Sequence, residues 1–166
     1  MIRVLGALKS VLELETAEYK QMLALAAEKK DVLFKNDVQG LELIVAREMT
    51  VLKRIKQLEA EREALIARAA ILSHRPKNAI RLSDLIEMLD GDMRAEFSRI
   101  RDELTDVVSQ LKNSNKANKG LIETQLQYAS FCVNLLAGHT GPLSTYSHAG
   151  QMNDKEELTY LIDRSI

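Results

Sequence analysis

The side chains that most often carry catalysis or hold metals are few in this sequence and lack a recognisable spacing. The chain has three histidines and one cysteine, with no Glu-x-x-His pair of the di-iron bundles and no glycine-rich phosphate loop. Cys132 and His139 are seven residues apart, which on one helix would bring a thiol near a base. A cysteine among apolar residues of a long helix is more typical of core packing. We therefore expect no enzyme, no metal site and no cofactor.

Residues suited to binding another polypeptide lie near the C-terminus. Tyr146 falls within 138–153, a stretch rich in Gly, Ser, Thr and His that predicts a flexible linker. Asp154 and Glu157 then have the spacing of a helix start, and apolar residues follow at helical intervals: Leu158, Leu161 and Ile162. A helix of about ten residues is unstable alone in water, so this segment must dock on its own chain or on a partner. Tyr146 is either an anchor for a partner or a cover for its own helices.

Composition excludes several classes of partner. The 166 residues carry 23 basic and 24 acidic side chains, well mixed, for a net charge of −1. This balance gives no electrostatic footprint for nucleic acid or an acidic membrane. One cysteine cannot form an internal disulfide. The N-terminal apolar run is broken by Lys9 and Glu13, which is unlike a signal peptide, and no window predicts a membrane span. We expect a cytoplasmic protein without membrane insertion.

Two long helices should position the rest of the chain. Apolar residues recur at steps of three and four over 2–35 and again over 38–72. Between them, Asn36 and Gln39 have capping-box spacing, which predicts a tight turn there. So short a turn makes the two helices antiparallel neighbours.

Charged residues within these apolar seams favour one register. When the hairpin is aligned so that facing residue numbers sum to about 77, Glu15 lies opposite Arg62, and Lys29 lies opposite Glu48. A slide by one heptad would set each charge against apolar residues, which is costly. We hypothesise that the two pairs fix the register of the hairpin rather than stabilise it. The alternative is that all four side chains reach water independently.

The remaining helices are predicted from breaks in the pattern. Pro76 must end the second helix, and Ser83 then caps a short helix over 84–89 whose apolar side can cover the open end of the hairpin. A third long seam runs from Met93 to Leu136. Its polar stretch 112–120 is either a break or a polar layer inside one continuous helix. Without Pro or a turn dipeptide in that stretch, continuity is favoured.

These patterns predict an all-α fold. We expect an elongated antiparallel three-helix bundle or coiled coil, with a short connecting helix and a mobile C-terminal tail. The predicted division is a helical bundle over 1–139, followed over 140–166 by a flexible linker and a short amphipathic segment.

The order and spacing of several residues resemble the FlgN family of flagellar type III export chaperones. The Asn-rich part of the last long helix contributes most, with Asn115, Asn118, Ile122 and Leu126. Tyr146 followed by Gly150 in the tail also fits. Further matching residues lie in the hairpin and the short helix: Glu15, Tyr19, Leu23, Lys29, Asn36, Asp37, Leu41, Glu48, Leu52, Leu58, Glu59, Arg62 and the stretch 82–86.

The resemblance implies a cytoplasmic chaperone that holds hook-associated proteins, prevents their premature assembly and delivers them to the export gate. By similarity, Tyr146 is the residue that contacts the cytoplasmic domain of the gate. We expect the client to contact the tail and the end of the last long helix: Leu135, Leu136, Leu158, Leu161 and Ile162. The alternative is a generic coiled-coil adaptor or scaffold whose seams pair between chains. A homodimer is compatible with both interpretations.

Overall fold

The structure is a computed structural model that describes residues 1–74 and 81–136. Within these two ranges the chain forms four helices and no strand, which confirms the all-α class. The helices are α1 (Ile2–Phe34), α2 (Val38–Leu72), α3 (Leu82–Glu87) and α4 (Gly91–Leu136). The predicted linker and tail lie outside the described residues, so the proposed division at residue 139 stays a prediction.

The turn between α1 and α2 lies where the sequence predicts it, but a different residue caps α2. Asp37 is the N-cap, and its side chain accepts a hydrogen bond of 2.9 Å from the backbone N–H of Gly40. Asn36 has a φ of 53°, a left-handed conformation that asparagine tolerates better than most residues. The predicted capping box of Asn36 and Gln39 is therefore wrong by one position.

Helix α2 packs antiparallel to α1 in the predicted register. The guanidinium Nε of Arg62 lies 3.0 Å from Glu15 Oε2, and Lys29 Nζ lies 2.5 Å from Glu48 Oε2. Both predicted ion pairs are confirmed, and the Glu15–Arg62 pair is almost fully buried. Whether the pairs select the register rather than add stability remains a hypothesis.

Helix α4 runs parallel to α1 on its other side. Lys9 of α1 pairs with Glu96 at 2.5 Å, and near the far end Ala26 accepts a hydrogen bond from Asn118. Helix α1 is therefore the central helix, since α2 and α4 each pack along it, and side chains of all three helices share the two apolar clusters of the core. The all-α class is confirmed, whereas the finer prediction of an elongated antiparallel three-helix bundle or coiled coil stays a prediction.

The short helix α3 covers the open end of the hairpin, as predicted. Its Leu85 and Ile86 are buried in one apolar cluster with residues of α1, α2 and α4, among them Leu8, Ala69 and Phe97. The predicted cap at Ser83 is wrong, because α3 already begins at Leu82. The Asp84 carboxylate accepts a hydrogen bond of 2.8 Å from the backbone N–H of Arg81, so the helix start is stabilised from its first turn.

Helix α4 is continuous through its polar stretch, as predicted. Asn118 is only 3% exposed, and its side-chain amide donates a 2.7 Å hydrogen bond to the backbone carbonyl of Ala26. This bond satisfies the N–H side of the buried amide and favours one position of α4 along α1. Ser114, the other predicted member of the polar layer, is half-buried.

A second buried polar layer separates the two apolar clusters of the core. Glu15, 1% exposed, and Glu59 both lie near Arg62, so two carboxylates share one guanidinium. The Tyr19 hydroxyl donates a 2.9 Å hydrogen bond to Glu59. Burial outweighs the attraction of Arg62 and raises the pKa of Glu15 from 4.5 to about 7. Burial also raises the pKa of Glu59.

The raised pKa of Glu15 predicts a pH dependence of stability. Between the unfolded pKa of 4.5 and the folded pKa of about 7, the folded chain binds more protons than the unfolded chain. The contribution of Glu15 to the free energy of unfolding should therefore be largest below about pH 4.5, and it should fall by about 1 kcal/mol per pH unit as the pH rises from 4.5 to about 7. Urea denaturation followed by circular dichroism measures the free energy of unfolding at each pH. The Glu15→Gln variant should have a flatter profile, and equal profiles for both chains would contradict the assignment.

Candidate protein-binding surface

The central helix ends before its neighbour does. Gln125 of α4 donates its side-chain amide to the backbone carbonyl of Leu33, in the last turn of α1, and α1 ends at Phe34. Helix α4 continues to Leu136. At 1.5 Å per residue, the segment 126–136 extends about 16 Å past the last α1 contact. We call this segment the α4 extension.

One side of the α4 extension continues the face that packs against α1. Upstream this face is buried at Val107, Leu111 and Asn118. Beyond the end of α1, residues at the same helical positions are exposed, and we call them the inner surface: Leu126, Val133 and Leu136. Leu126 is 63% exposed and Leu136 90%. The apolar seam of α4 thus continues beyond the end of α1, the helix that covers it upstream.

The opposite side of the α4 extension is apolar as well. Upstream, this side carries exposed residues without large apolar groups: Asp106, Gln110, Asn113, Ala117 and Thr124. From residue 128 onward, exposed apolar residues follow in the same series of steps of three and four, and we call them the outer surface: Tyr128, Phe131 and Leu135. Tyr128 is 70% exposed. The solvent-facing side of α4 therefore changes from polar to apolar at the extension.

The α4 extension also lacks charge. Charged residues make up 28% of the chain, yet no Asp, Glu, Lys or Arg occurs anywhere in 124–153. A helix that is apolar on two sides and uncharged is typical of a buried helix. Contiguous exposed apolar surface of this kind marks a site of interaction with another polypeptide.

The structure offers no chemistry at this end of α4. Cys132 is half-buried. His139, its possible partner in catalysis, lies outside the described residues. Over 1–74 and 81–136, no group of three or more His, Cys, Asp or Glu side chains is arranged to hold a metal ion.

The predicted client contacts fall partly on this surface. Leu135 and Leu136 are both exposed, but they lie on different surfaces, so one docking helix does not cover both equally. The seam spacing of the last long helix predicts that Leu126 and Val133 are buried. This prediction is wrong, because α1 ends before it reaches these two residues. The other predicted contacts lie outside the described residues: Tyr146, Leu158, Leu161 and Ile162.

Sequence reasoning missed two members of the outer surface, Tyr128 and Phe131. The signal that could have found them is local. Apolar residues appear at helical intervals on a face that is polar upstream, and charged residues disappear from the sequence at the same point. Either observation alone is common, whereas together they indicate a contact surface.

Comparison with known proteins gives the family. The profile described as FlgN protein matches residues 1–154. The chain belongs to the FlgN family. The uncharacterized protein YvyG of Bacillus subtilis (strain 168) is 26% identical to this FlgN chain over 118 residues, 71% of either protein. No solved structure gives a significant match.

Family membership fixes the general role. FlgN proteins are flagellar export chaperones, so membership of the family implies that this chain is a flagellar export chaperone. In the part of the chain that the structure describes, no helix is long and apolar enough to span a membrane.

Proposed function

We propose that this FlgN protein acts in the cytoplasm, where it binds hook-associated proteins, the subunits of the hook–filament junction. It keeps them from assembling early and delivers them to the type III export gate. The observation that carries this proposal is the uncharged, apolar α4 extension beyond the end of α1.

The chemistry of the α4 extension suits such a client. Terminal segments of the clients are expected to become helical only in the assembled filament, and until then their apolar stripes are uncovered. An amphipathic helix docks on an apolar helix surface through residues spaced three and four apart. Leu135 and Leu136 supply exposed leucines for this contact. In this proposal the tail residues Leu158, Leu161 and Ile162 add further apolar contacts.

Release is as necessary as binding. A client held by apolar contacts alone, without buried ion pairs, leaves no charge stranded when it departs. Ordering of the tail on binding would cost conformational entropy and so reduce net affinity. Both effects favour a moderate affinity, which suits a chaperone that hands its client to the export gate.

The client contact is tested by Leu136→Asp in the full chain. A buried charge without a partner in the complex should weaken binding of a purified hook-associated protein by about tenfold or more. The free energy of unfolding should change by no more than about 0.5 kcal/mol, since Leu136 is exposed in the free chain. Isothermal titration calorimetry measures the affinity. Leu161→Asp tests the tail in the same way.

The matched control is Leu14→Asp, which places the same charge at an exposed leucine on α1, far from the α4 extension. This variant should bind the client as the unchanged chain does. Equal affinity of all variants would exclude the α4 extension and the tail as client sites. Light scattering tests the scaffold alternative, because a scaffold stays oligomeric on dilution whereas a chaperone gains mass only when the client is added.

The gate contact is tested separately with Tyr146→Ala. We expect this variant to keep its affinity for the client and to lose affinity for the cytoplasmic domain of the export gate, since an aromatic anchor is removed from one site only. His148→Ala removes a ring from the same stretch and serves as the control. A Tyr146→Ala chain that loses both partners together would contradict separate sites for client and gate.

A further inference from the structure

We propose that one client polypeptide places two helical segments against the α4 extension, one on the inner surface and one on the outer surface. This inference rests on the proposed function and adds how the client is held. It starts from the two apolar surfaces that the structure leaves uncovered at the same turns of α4.

The two surfaces are too far apart around the helix for one docking segment. Successive residues are about 100° apart, so the centres of the inner and outer surfaces are separated by about 150°. An amphipathic helix covers a stripe of about 100°. A client with a single helix would leave either Leu126 or Tyr128 exposed to water.

One helix in the chain's own tail, or a second copy of the chain, covers only one of the two surfaces. Most apolar residues of 154–166 follow one helical series, and Tyr160 lies on the other side, so a helix over this segment docks by one side and covers one surface. A two-fold dimer uses the same surface on both copies and leaves the other surface open. Contacts between the inner surface of one copy and the outer surface of the next would propagate into closed rings or open filaments.

The absence of charged residues from the α4 extension indicates which kind of client surface can bind there. No Asp, Glu, Lys or Arg side chain between 124 and 153 is available to pair with a client charge. The faces of the client that touch the extension should therefore be apolar, with charged residues confined to their far sides. Enclosed in this way, α4 would be a central helix between two others, as α1 is between α2 and α4.

Three consecutive residues allow a direct test. In a Cys132→Ser background, single cysteines are introduced as Leu126→Cys on the inner surface, Tyr128→Cys on the outer surface, and Gln127→Cys between them as the matched control. All three positions are exposed in the free chain. The rate of alkylation by N-ethylmaleimide is then measured with and without a purified hook-associated protein of the same organism.

With the client at about ten times its dissociation constant, alkylation at positions 126 and 128 should both slow by about tenfold. Position 127 should be protected least. Protection of only one of positions 126 and 128 would overturn the two-sided arrangement while leaving client binding intact. Slow alkylation at either position before the client is added would also overturn it, because the tail or a second copy would then occupy that surface.

Light scattering on the same samples separates this inference from the proposed function. If the mass increases by one client and only one position is protected, the two-sided arrangement alone fails. If no complex forms with the unchanged chain, the proposed function fails, and this inference fails with it.

Discussion

The length of α1 is the constraint on which the remaining structure depends. Both other long helices pack along it, and each of the two apolar clusters of the core contains residues of α1. Helix α1 has 33 residues and α4 has 46, and both start at the same end of the molecule. The excess of α4 must therefore project beyond the core. Its apolar residues are exposed there because the helix that would bury them has ended.

Polar contacts between helices set the position along α1 at which α4 begins to project beyond the core. Apolar seams of helical period can slide by a heptad at modest cost, whereas a buried polar group without its partner costs more. Asn118 bonded to Ala26 and Gln125 bonded to Leu33 hold α4 at one offset along α1. By our hypothesis, the buried Glu15–Arg62 pair does the same between α1 and α2. Buried polar residues thus position the binding surface without belonging to it.

The sequence predicts the hairpin well because its determinants are local. The seam spacing predicts α2, which the structure places at Val38–Leu72. The facing charges predict the two ion pairs. The caps are less predictable, since Asn36 adopts a left-handed conformation and leaves the cap to Asp37. The exposed surfaces could not be derived from periodicity. They depend on the offset between α1 and α4, which is set by contacts between residues distant in sequence, such as Asn118 with Ala26. Seam spacing marked Leu126 and Val133 as core for this reason.

Hydrogen exchange of the full chain, alone and with a purified hook-associated protein, tests most directly whether the α4 extension is the client site. Backbone amides of 126–136 should exchange rapidly in the free chain, because the large apolar side chains of this segment are exposed and α1 ends before it. With the client bound, the same amides should exchange more slowly, while those around the Glu15–Arg62 pair stay unchanged. Slower exchange confined to the α1–α2 hairpin, with 126–136 unaffected, would contradict the account.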